Sequence, residues 1–277
     1  WAIYILMEVI LFIAISMFPK LMNCVISSKI FRGAKASQTR LSSNLPVIQD
    51  LRKEYSRIGL SENDSLIKSG KPIDLFALWL QEACSANVIE PNAMCLSTCK
   101  NNRPSARFVL LKAFDDRGFV WYTNYESRKS EELSENPFGA LTFWWGDLER
   151  SVRIEGRVVK VSEQESSEYF SSRPRTSQIG AWSSNQSRTI ASREALELQE
   201  QEVNSRFDSK NNTPIEEGTS LISAPVVPRP PHWGGFRLVP DRIEFWKGRE
   251  SRLHDRIVFL RDENNNSTAW QSMRLQP

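Results

Sequence analysis

Five short runs between Ala93 and Val161 decide the fold: AMCLSTC (93–99), ARFVLLKA (106–113), GFVWYT (118–123), ALTFWW (140–145) and SVRIEGRVVKV (151–161). They are rich in Val, Phe, Trp, Tyr and Thr, the residues that pack best on a pleated surface. Turn-forming residues separate them, such as Asn101-Asn102 and the run Asp115–Gly118. Strands in such close succession favour antiparallel pairing, so the sequence predicts an antiparallel sheet that closes into a barrel.

Helical periodicity flanks the predicted sheet. Leu75, Phe76 and Trp79 recur at helical spacing within Asp74–Asn87, which predicts a helix with one buried stripe. Three further helices are predicted: from Ser127 to before Pro137, after the capping box Ser162/Glu165, and from Ser192 to about Phe207. The predicted fold class is therefore mainly β with flanking helices (α+β).

The last quarter of the chain begins with a predicted loop. Residues 208–231 are rich in Asn, Ser and Pro, which is typical of a long loop. Strands are predicted to resume at Phe236–Val239, Ile243–Trp246 and Ile257–Leu260, and Ala269–Pro277 is expected to belong to the fold. The folded domain is predicted to span residues 46–277.

Composition excludes several classes of protein. A chain of 277 residues with 40% hydrophobic content can bury a proper core, which excludes disorder throughout. The net charge of +3 is a small excess of 36 basic over 33 acidic residues, so no nucleic-acid partner is expected. Four cysteines are too few and too unevenly placed for a disulfide framework. With two histidines far from the Cys95/Cys99 pair, no metal site is expected.

Residues 1–45 differ in character from the rest. Residues 1–18 are almost entirely apolar, and residues 26–43 carry four cations, several serines and no acid, which is typical of a transit peptide. A targeting segment, a membrane anchor and an artefactual extension all remain open. Localisation is therefore expected to be cytoplasmic, or organellar (mitochondrion or plastid), with membrane contact only if residues 1–18 are retained.

Two stretches combine cations with hydroxyl groups. The run Tyr122–Lys129 passes from a predicted strand into a helix N-terminus, where exposed amides, Thr123 and two cations favour a phosphate site. Tyr169 and Arg173 are four apart and are predicted to lie on one helical face, and Ser177 follows a proline. The second stretch therefore predicts another phosphate site.

Arg107 and Lys112 bracket a strand, and their spacing of five places them on opposite faces. They could serve two ligands, serve one ligand at a subunit boundary, or simply reach water at the strand ends. Farther along, Trp246 ends a predicted strand and could lie against a flat ring. Arg252 and His254 project the same way if extended, although His254 could equally be a surface imidazole held by Asp255.

Several of these residues lie in strings that, in this order and spacing, resemble the pyridoxine 5′-phosphate oxidase family. The strings are Ser105–Lys112, Tyr122–Lys129, Ser172–Gly180, Asn185–Ser187, Trp233–Gly235, Glu244–Trp246, Arg252–Arg256 and Arg274–Pro277. The resemblance covers about Pro72 to Pro277. Because the strings contain the candidate site residues, the resemblance bears on function as well as on fold.

The resemblance implies a homodimer of FMN-binding split β-barrels, with FMN at the subunit interface and residues 232–277 as the dimerisation and substrate region. It implies oxidation of pyridoxine 5′-phosphate or pyridoxamine 5′-phosphate to pyridoxal 5′-phosphate. The substrate's 4′-carbon would pass a hydride to the flavin, and dioxygen would reoxidise the flavin with release of hydrogen peroxide. Ammonia would also be released from the amine.

The resemblance also implies site residues. Those implied for FMN are Arg107, Phe108, Val109, Leu110, Tyr122, Thr123, Arg128, Lys129, Ser151, Gln186, Ser187, Trp246 and Arg256. Those implied for the substrate are Lys112, Tyr169, Arg173 and Ser177 at the phosphate and Arg252, Leu253 and His254 at the ring, with Arg252 and His254 nearest the chemistry.

The sequence departs from the family at two places. Ser151 stands where the family usually has Gln, so one flavin contact is expected to be shortened or lost, worth about 1 kcal/mol. The loop 208–231 is also longer than the family needs. The rival interpretation is a split-barrel protein that binds FMN without catalysis, but such a protein needs neither a second phosphate site nor the Arg252–Arg256 string.

Overall fold

The computed structural model describes residues 53–56, 58–208, 226–261 and 269–277. Three predictions fall on residues outside the described ranges. They concern the extension (residues 1–45), the start of the domain at Pro46, and residues 209–225 of the loop. Residues 226–231, the described end of that loop, form no helix or strand. In these described ranges, no helix is both long enough and apolar enough to cross a membrane.

Six α-helices, two short 3-10 helices (Gly146–Leu148 and Glu250–Arg252) and nine strands make up the described fold. The helices are α1 (Ser65–Lys68), α2 (Pro72–Ser85), α3 (Arg128–Glu135), α4 (Glu163–Ser172), α5 (Arg175–Ser183) and α6 (Arg193–Arg206). The strands are β1 (Ala93–Lys100), β2 (Arg103–Leu110), β3 (Ala113–Asp115), β4 (Gly118–Asn124), β5 (Phe138–Trp145), β6 (Arg150–Lys160), β7 (Trp233–Lys247), β8 (Asp255–Leu260) and β9 (Gln271–Leu275).

All nine strands belong to one antiparallel sheet. Its order is β2-β1-β5-β6-β7-β4-β3, and β8 and β9 continue from β7. The predicted antiparallel sheet is confirmed, but the predicted closed barrel is wrong as stated: among the described strands, no ladder joins β2 to β3. The two ends are instead consecutive parts of one stretch, in which Leu111 N–H donates to Asn92 and Lys112 N–H donates to Val120. The chain itself, and not a strand ladder, links the ends of the sheet.

Strand β7 is longer than predicted, because the runs expected as two strands form one. Its first part pairs with β4 and its last part with β8, while β6 follows nearly its whole length. The ladder between β6 and β7 has a register shift at Glu155/Gly156. A Cβ at Gly156 would lie 2.0 Å from the Val239 carbonyl oxygen, so only glycine permits this close approach.

Helix α2 fills the inner face of the sheet, as its periodicity predicts. Phe76 is fully buried, and its ring centroid lies 5.0 Å from Phe119 and 5.1 Å from Phe143. Trp79 packs edge-on against Phe245 at 5.2 Å. Edge-to-face contacts of this kind add to the burial energy of the rings, so α2 anchors the strands that carry the site.

The predicted N-cap at Ser162 is confirmed, because its Oγ accepts the Glu165 N–H at 3.0 Å. Ser192 caps α6 in the same way through Ala195 at 3.2 Å. The cysteines described, Cys84, Cys95 and Cys99, are free thiols. Within the described residues, no group of His, Cys, Asp and Glu side chains is arranged to hold a metal ion.

The opposite face of the sheet, which we call the outer face, carries exposed side chains. Side chains alternate across each strand, so those beside the buried Leu141, Phe143 and Val152 point outward. Phe108 on β2 is 79% exposed and Trp144 on β5 is 57% exposed. This outer face therefore carries large apolar groups that nothing in the described chain covers.

Candidate active site

A buried ammonium group lies where β4 leads into α3. Lys129 is 8% exposed, and its Nζ donates to Thr123 Oγ1 at 2.9 Å, Ser127 Oγ at 3.0 Å and Gln186 Oε1 at 2.6 Å. We call these four residues the ammonium site. The three acceptors are all neutral. Burial, followed by repulsion from Arg107, lowers the pKa of Lys129 to about 8. A buried cation held only by neutral groups favours an anionic ligand.

A carboxylate beside the ammonium site joins two arginines. Glu132 Oε2 accepts from Arg107 Nη2 and Glu132 Oε1 from Arg128 Nε, both at 2.8 Å. The hydroxyls of Thr98 and Ser105 donate to the same carboxylate. Burial would raise the pKa of Glu132, but hydrogen bonds from these four residues together lower it to about 2. Glu132 thus stays charged and fixes both guanidinium groups in place.

On the other side of β4, a guanidinium group lies over stacked aromatic rings. Tyr122 stacks on Tyr169 at 3.9 Å between centroids and on Trp233 at 5.4 Å, and Arg173 lies 4.6 Å above the Trp233 ring. We call these four residues the guanidinium site. Arg173 Nη1 is buried, and the described part of the chain offers it no hydrogen-bond partner. Burial also lowers the pKa of Arg173. A buried guanidinium group in such a setting favours an anionic ligand.

The prediction that Tyr169 and Arg173 share a helical face is wrong. Helix α4 ends at Ser172, and Arg173 has an extended backbone with ψ 148° because Pro174 follows it. The two side chains still meet, through the Trp233 ring that both contact. Ser177 lies half-buried in the first turns of α5, whereas Lys112 is exposed at the junction of β2 and β3.

The segment between β7 and β8 forms a third cluster. The His254 ring lies 4.8 Å from Trp246 and 5.3 Å from Tyr55, edge-on to the latter. The expectation that Arg252 and His254 project alike from an extended chain is wrong, because Ser251 and Arg252 are left-handed, with φ of 56° and 60°. Such φ values strain residues other than glycine and mark functional turns. Arg252 and Leu253 are exposed by this turn.

A depression of about 370 Å³ lies beside Trp246 on the outer face of the sheet. Its walls include Trp144, Ser151 and Glu244. The Ser151 hydroxyl donates to the Phe143 carbonyl at 2.9 Å, so its proton is already used in a hydrogen bond within the sheet. Arg256, opposite Trp246 in the ladder, donates to Glu244 at 2.8 Å. The depression can accept a flat ring against Trp246.

The structure brings together some of the implied FMN residues and separates others. Thr123, Lys129 and Gln186 meet in the ammonium site. Phe108 and Leu110 are exposed on the outer face, whereas Arg107 turns toward Glu132. Val109 is half-buried in β2. Ser187 is exposed after α5, with φ 72°.

Sequence reasoning missed Tyr55 and Glu132. Tyr55 lies in a short segment with no periodicity, so only its tertiary contact with His254 reveals it. Glu132 lies one helical turn from Arg128, and this i,i+4 spacing was the available signal. Its contact with Arg107 depends on how α3 packs against β1 and β2, which no local pattern shows.

Known proteins resemble this chain over most of its described length. Residues 80–207 match the family described as pyridoxamine 5′-phosphate oxidase, and residues 233–277 match a pyridoxine 5′-phosphate oxidase C-terminal dimerisation region. A pyridoxine/pyridoxamine 5′-phosphate oxidase of Rubrobacter xylanophilus is 50% identical over 82% of this chain and 95% of its own. The chain belongs to the pyridoxamine 5′-phosphate oxidase family. It is accordingly an enzyme of the oxidase class.

Another curated relative and two solved structures are also similar to this chain. The enzyme of the same name from Burkholderia thailandensis is 49% identical over 84% of this chain and all of its own. Among solved structures, PhzG from Burkholderia lata, in complex with tetrahydrophenazine-1-carboxylic acid, is 31% identical with a TM-score of 0.66, covering 79% of this chain and 98% of PhzG. An FMN-binding protein of Nostoc punctiforme, 14% identical with a TM-score of 0.54, covers 74% of this oxidase and 96% of its own chain and shares the fold.

Proposed function

We propose that this oxidase converts pyridoxine 5′-phosphate and pyridoxamine 5′-phosphate to pyridoxal 5′-phosphate, with FMN as cofactor and dioxygen as oxidant. Hydrogen peroxide is released, and ammonia also from the amine. The names of the relatives support the substrates. The observation that carries the proposal is a pair of cations on the two sides of β4, Lys129 and Arg173, for which the described residues supply no anionic partner. One cofactor phosphate and one substrate phosphate would fill the two sites.

The ammonium site fits the FMN phosphate. Lys129 would donate to it at the N-terminal turn of α3, where free N–H groups also favour an anion. Arg107 and Arg128, fixed by Glu132, add positive charge nearby. Trp246 and the depression beside it would receive the ring system. When bound, FMN supplies a two-electron acceptor that dioxygen can reoxidise.

The guanidinium site fits the substrate phosphate. Arg173 can present two parallel N–H groups to phosphate oxygens, and its position over Trp233 restricts the rotamers available to it. Tyr169 and Ser177 would add hydroxyl groups to the site. Holding the phosphate in this way orients the rest of the substrate, which is how a group remote from the reacting carbon accelerates its oxidation.

His254 is best suited to donate a hydrogen bond. The backbone N–H of Arg249 donates to His254 Nδ1 at 3.1 Å, so Nδ1 is an acceptor and the neutral ring carries its proton on Nε2. Burial, followed by repulsion from Arg252, lowers the pKa of His254. The neutral ring is thus favoured, and its Nε2–H is free to donate to a polar substituent of the substrate.

We expect His254 to lose its charge at a lower pH than a free imidazole does, and its neutral ring to carry the proton on Nε2. ¹⁵N NMR of the histidine rings would show this, and His254→Asn would assign the signal because the chain has two histidines. Because the charged form is disfavoured in the folded protein, its titration midpoint should lie below the ordinary value. A proton on Nδ1, or a midpoint above that value, would contradict the assignment.

The outer face of the sheet supports a homodimer. Phe108 and Trp144 are exposed there, and residues 233–277 match a dimerisation region. Monomers seldom leave such large apolar groups uncovered in one patch. A second copy of the chain would bury them and would border the depression beside Trp246. Each FMN would then contact both subunits.

The direct test is a spectrum and an assay on the purified chain. We expect a yellow dimer that, given either phosphate ester in air, forms pyridoxal 5′-phosphate and one peroxide per turnover. Arg252→Ala should lower this activity while FMN remains bound, because Arg252 lies in the exposed turn before His254. A yellow dimer that oxidises neither ester would favour the non-catalytic flavin-binding alternative.

Residues 1–45 bear on where the protein is located in the cell, and no part of the proposed site lies in them. We propose from their composition that they target the chain to an organelle and are removed. Fractionation of cells expressing the chain tests this proposal. A soluble organellar product lacking about 45 residues is expected, and a membrane-bound product of full length would show an anchor instead.

A further inference from the structure

Residues 54–56 and 58–62, which we call the segment 54–62, are held against the end of the chain by a network centred on Arg274. Arg274 Nε and Nη2 both donate to the Glu62 carboxylate, the latter at 3.0 Å, and Nη2 also donates to the Leu60 carbonyl at 2.9 Å. Arg274 Nη1 donates to Asp255 Oδ1. The guanidinium group thus joins the segment to both β9 and β8.

Asp255 completes the network from the other side. Its side chain is buried, and its Oδ2 accepts the Leu60 N–H at 2.9 Å. Arg249 Nη1 lies 3.4 Å from the same oxygen. A Cβ at Gly59 would lie 2.0 Å from Asp255 Oδ2, so the segment approaches this carboxylate as closely as its backbone allows. Asp255 is the residue directly after His254.

The same segment carries Tyr55 to the candidate active site. The Ser56 N–H donates to Glu149 at 2.9 Å, which fixes the segment next to Tyr55. The Tyr55 ring then lies edge-on to both His254 and Trp246. A Cβ at Gly248 would come within 2.4 Å of that ring, so Tyr55 also packs directly on the backbone of the turn that carries Arg252.

We propose that Glu62 and Arg274 are positioning residues, whose ion pair clamps the segment 54–62 so that Tyr55 forms a wall of the site at His254. The inference rests on the proposed function. Glu62 and Arg274 are partly exposed, so their pair adds little to global stability. Loss of the pair should therefore loosen the segment without unfolding the sheet, and the effect should appear in substrate binding.

The test compares Glu62→Gln with Glu197→Gln, which removes an exposed ion pair with Arg193 on α6. In Glu62→Gln, hydrogen exchange of the Ser56 and Leu60 amides should accelerate about five- to tenfold, and KM for pyridoxine 5′-phosphate should rise by about the same factor. The value of kcat, the FMN content and Tm should stay close to those of the wild type. Glu197→Gln should change none of these quantities.

Two results would overturn the clamp. One is unchanged amide exchange in Glu62→Gln, which would show that the ion pair does not hold the segment. The other is faster exchange with an unchanged KM, which would make the pair purely structural. Both are read against an active wild-type chain. A wild type that oxidises neither phosphate ester refutes the proposed function itself, while the exchange rates still report whether Glu62 holds the segment.

Discussion

Replacing Arg173 with Ala is expected to lower kcat/KM for both phosphate esters by roughly 100- to 1000-fold, about 3 to 4 kcal/mol. Arg173 Nη1 is buried and has no hydrogen-bond partner among the residues that the structure describes, so the folded protein already bears the cost of desolvating it. A substrate phosphate would recover this cost by accepting two charge-assisted hydrogen bonds. Most of the loss should appear in KM, because the phosphate is bound alike before and during the reaction.

Thermal stability separates this effect from damage to the fold. Removing an unsatisfied buried donor should leave Tm nearly unchanged or raise it slightly. Arg173→Lys should fall between wild type and Ala, since an ammonium keeps the charge but loses the two parallel donors. Arg193→Ala, which removes an exposed cation from α6, is the matched control and should be silent. Equal losses in Arg173→Ala and Arg193→Ala would remove Arg173 from the substrate site.

The second large effect is expected from Lys129→Met, which keeps the length of the side chain and removes its charge. The dissociation constant for FMN should rise roughly 100-fold, about 3 kcal/mol, because a buried charge partner of the phosphate is lost. Fluorescence titration of the apoprotein with FMN measures this directly. Lys100→Met, at an exposed lysine paired with Glu135, should bind FMN like the wild type.

The same site predicts a dependence of FMN affinity on pH. The pKa of Lys129 in the protein without ligand is lowered to about 8, chiefly by burial. Phosphate binds the charged ammonium, so above pH 8 a proton must be taken up on binding and the affinity falls, by at most about tenfold per pH unit. Below pH 8 the ammonium is already charged and this contribution is constant. Lys129→Met should abolish the fall, and a wild-type affinity that is flat from pH 7 to 10 would contradict it.

Some of the fold follows from local pattern alone. The helical stripe through Phe76 and Trp79 predicted α2, and the short runs rich in aromatic and β-branched residues predicted β1, β4, β5 and β6 nearly to the residue. Ser162 predicted its own capping bond. These elements depend on interactions within a few residues, for which spacing in the sequence and proximity in space are the same. The resemblance to the oxidase family rests likewise on local strings.

The residues of the candidate site also differ in how far apart they lie in the sequence. Lys129 and Thr123 are six residues apart and were assigned to one predicted phosphate site, whereas Arg173 and Tyr169 meet at Trp233, sixty residues after Arg173. The assumption of regular backbone misplaced Arg173 and Arg252, since Pro174 ends one helix early and two left-handed residues turn the other segment.

By itself, the sequence determined most of the longer helices and strands, which family the chain resembles and which residue types can hold phosphate. Only the tertiary structure decided that β2 and β3 leave the sheet open, that Glu132 joins Arg107 to Arg128, and that Tyr55 lies on His254. The physical reason is the range of the interactions. Periodicity reports on neighbours in the chain, whereas ion pairs and ring contacts between distant segments depend on how the strands are ordered in the sheet.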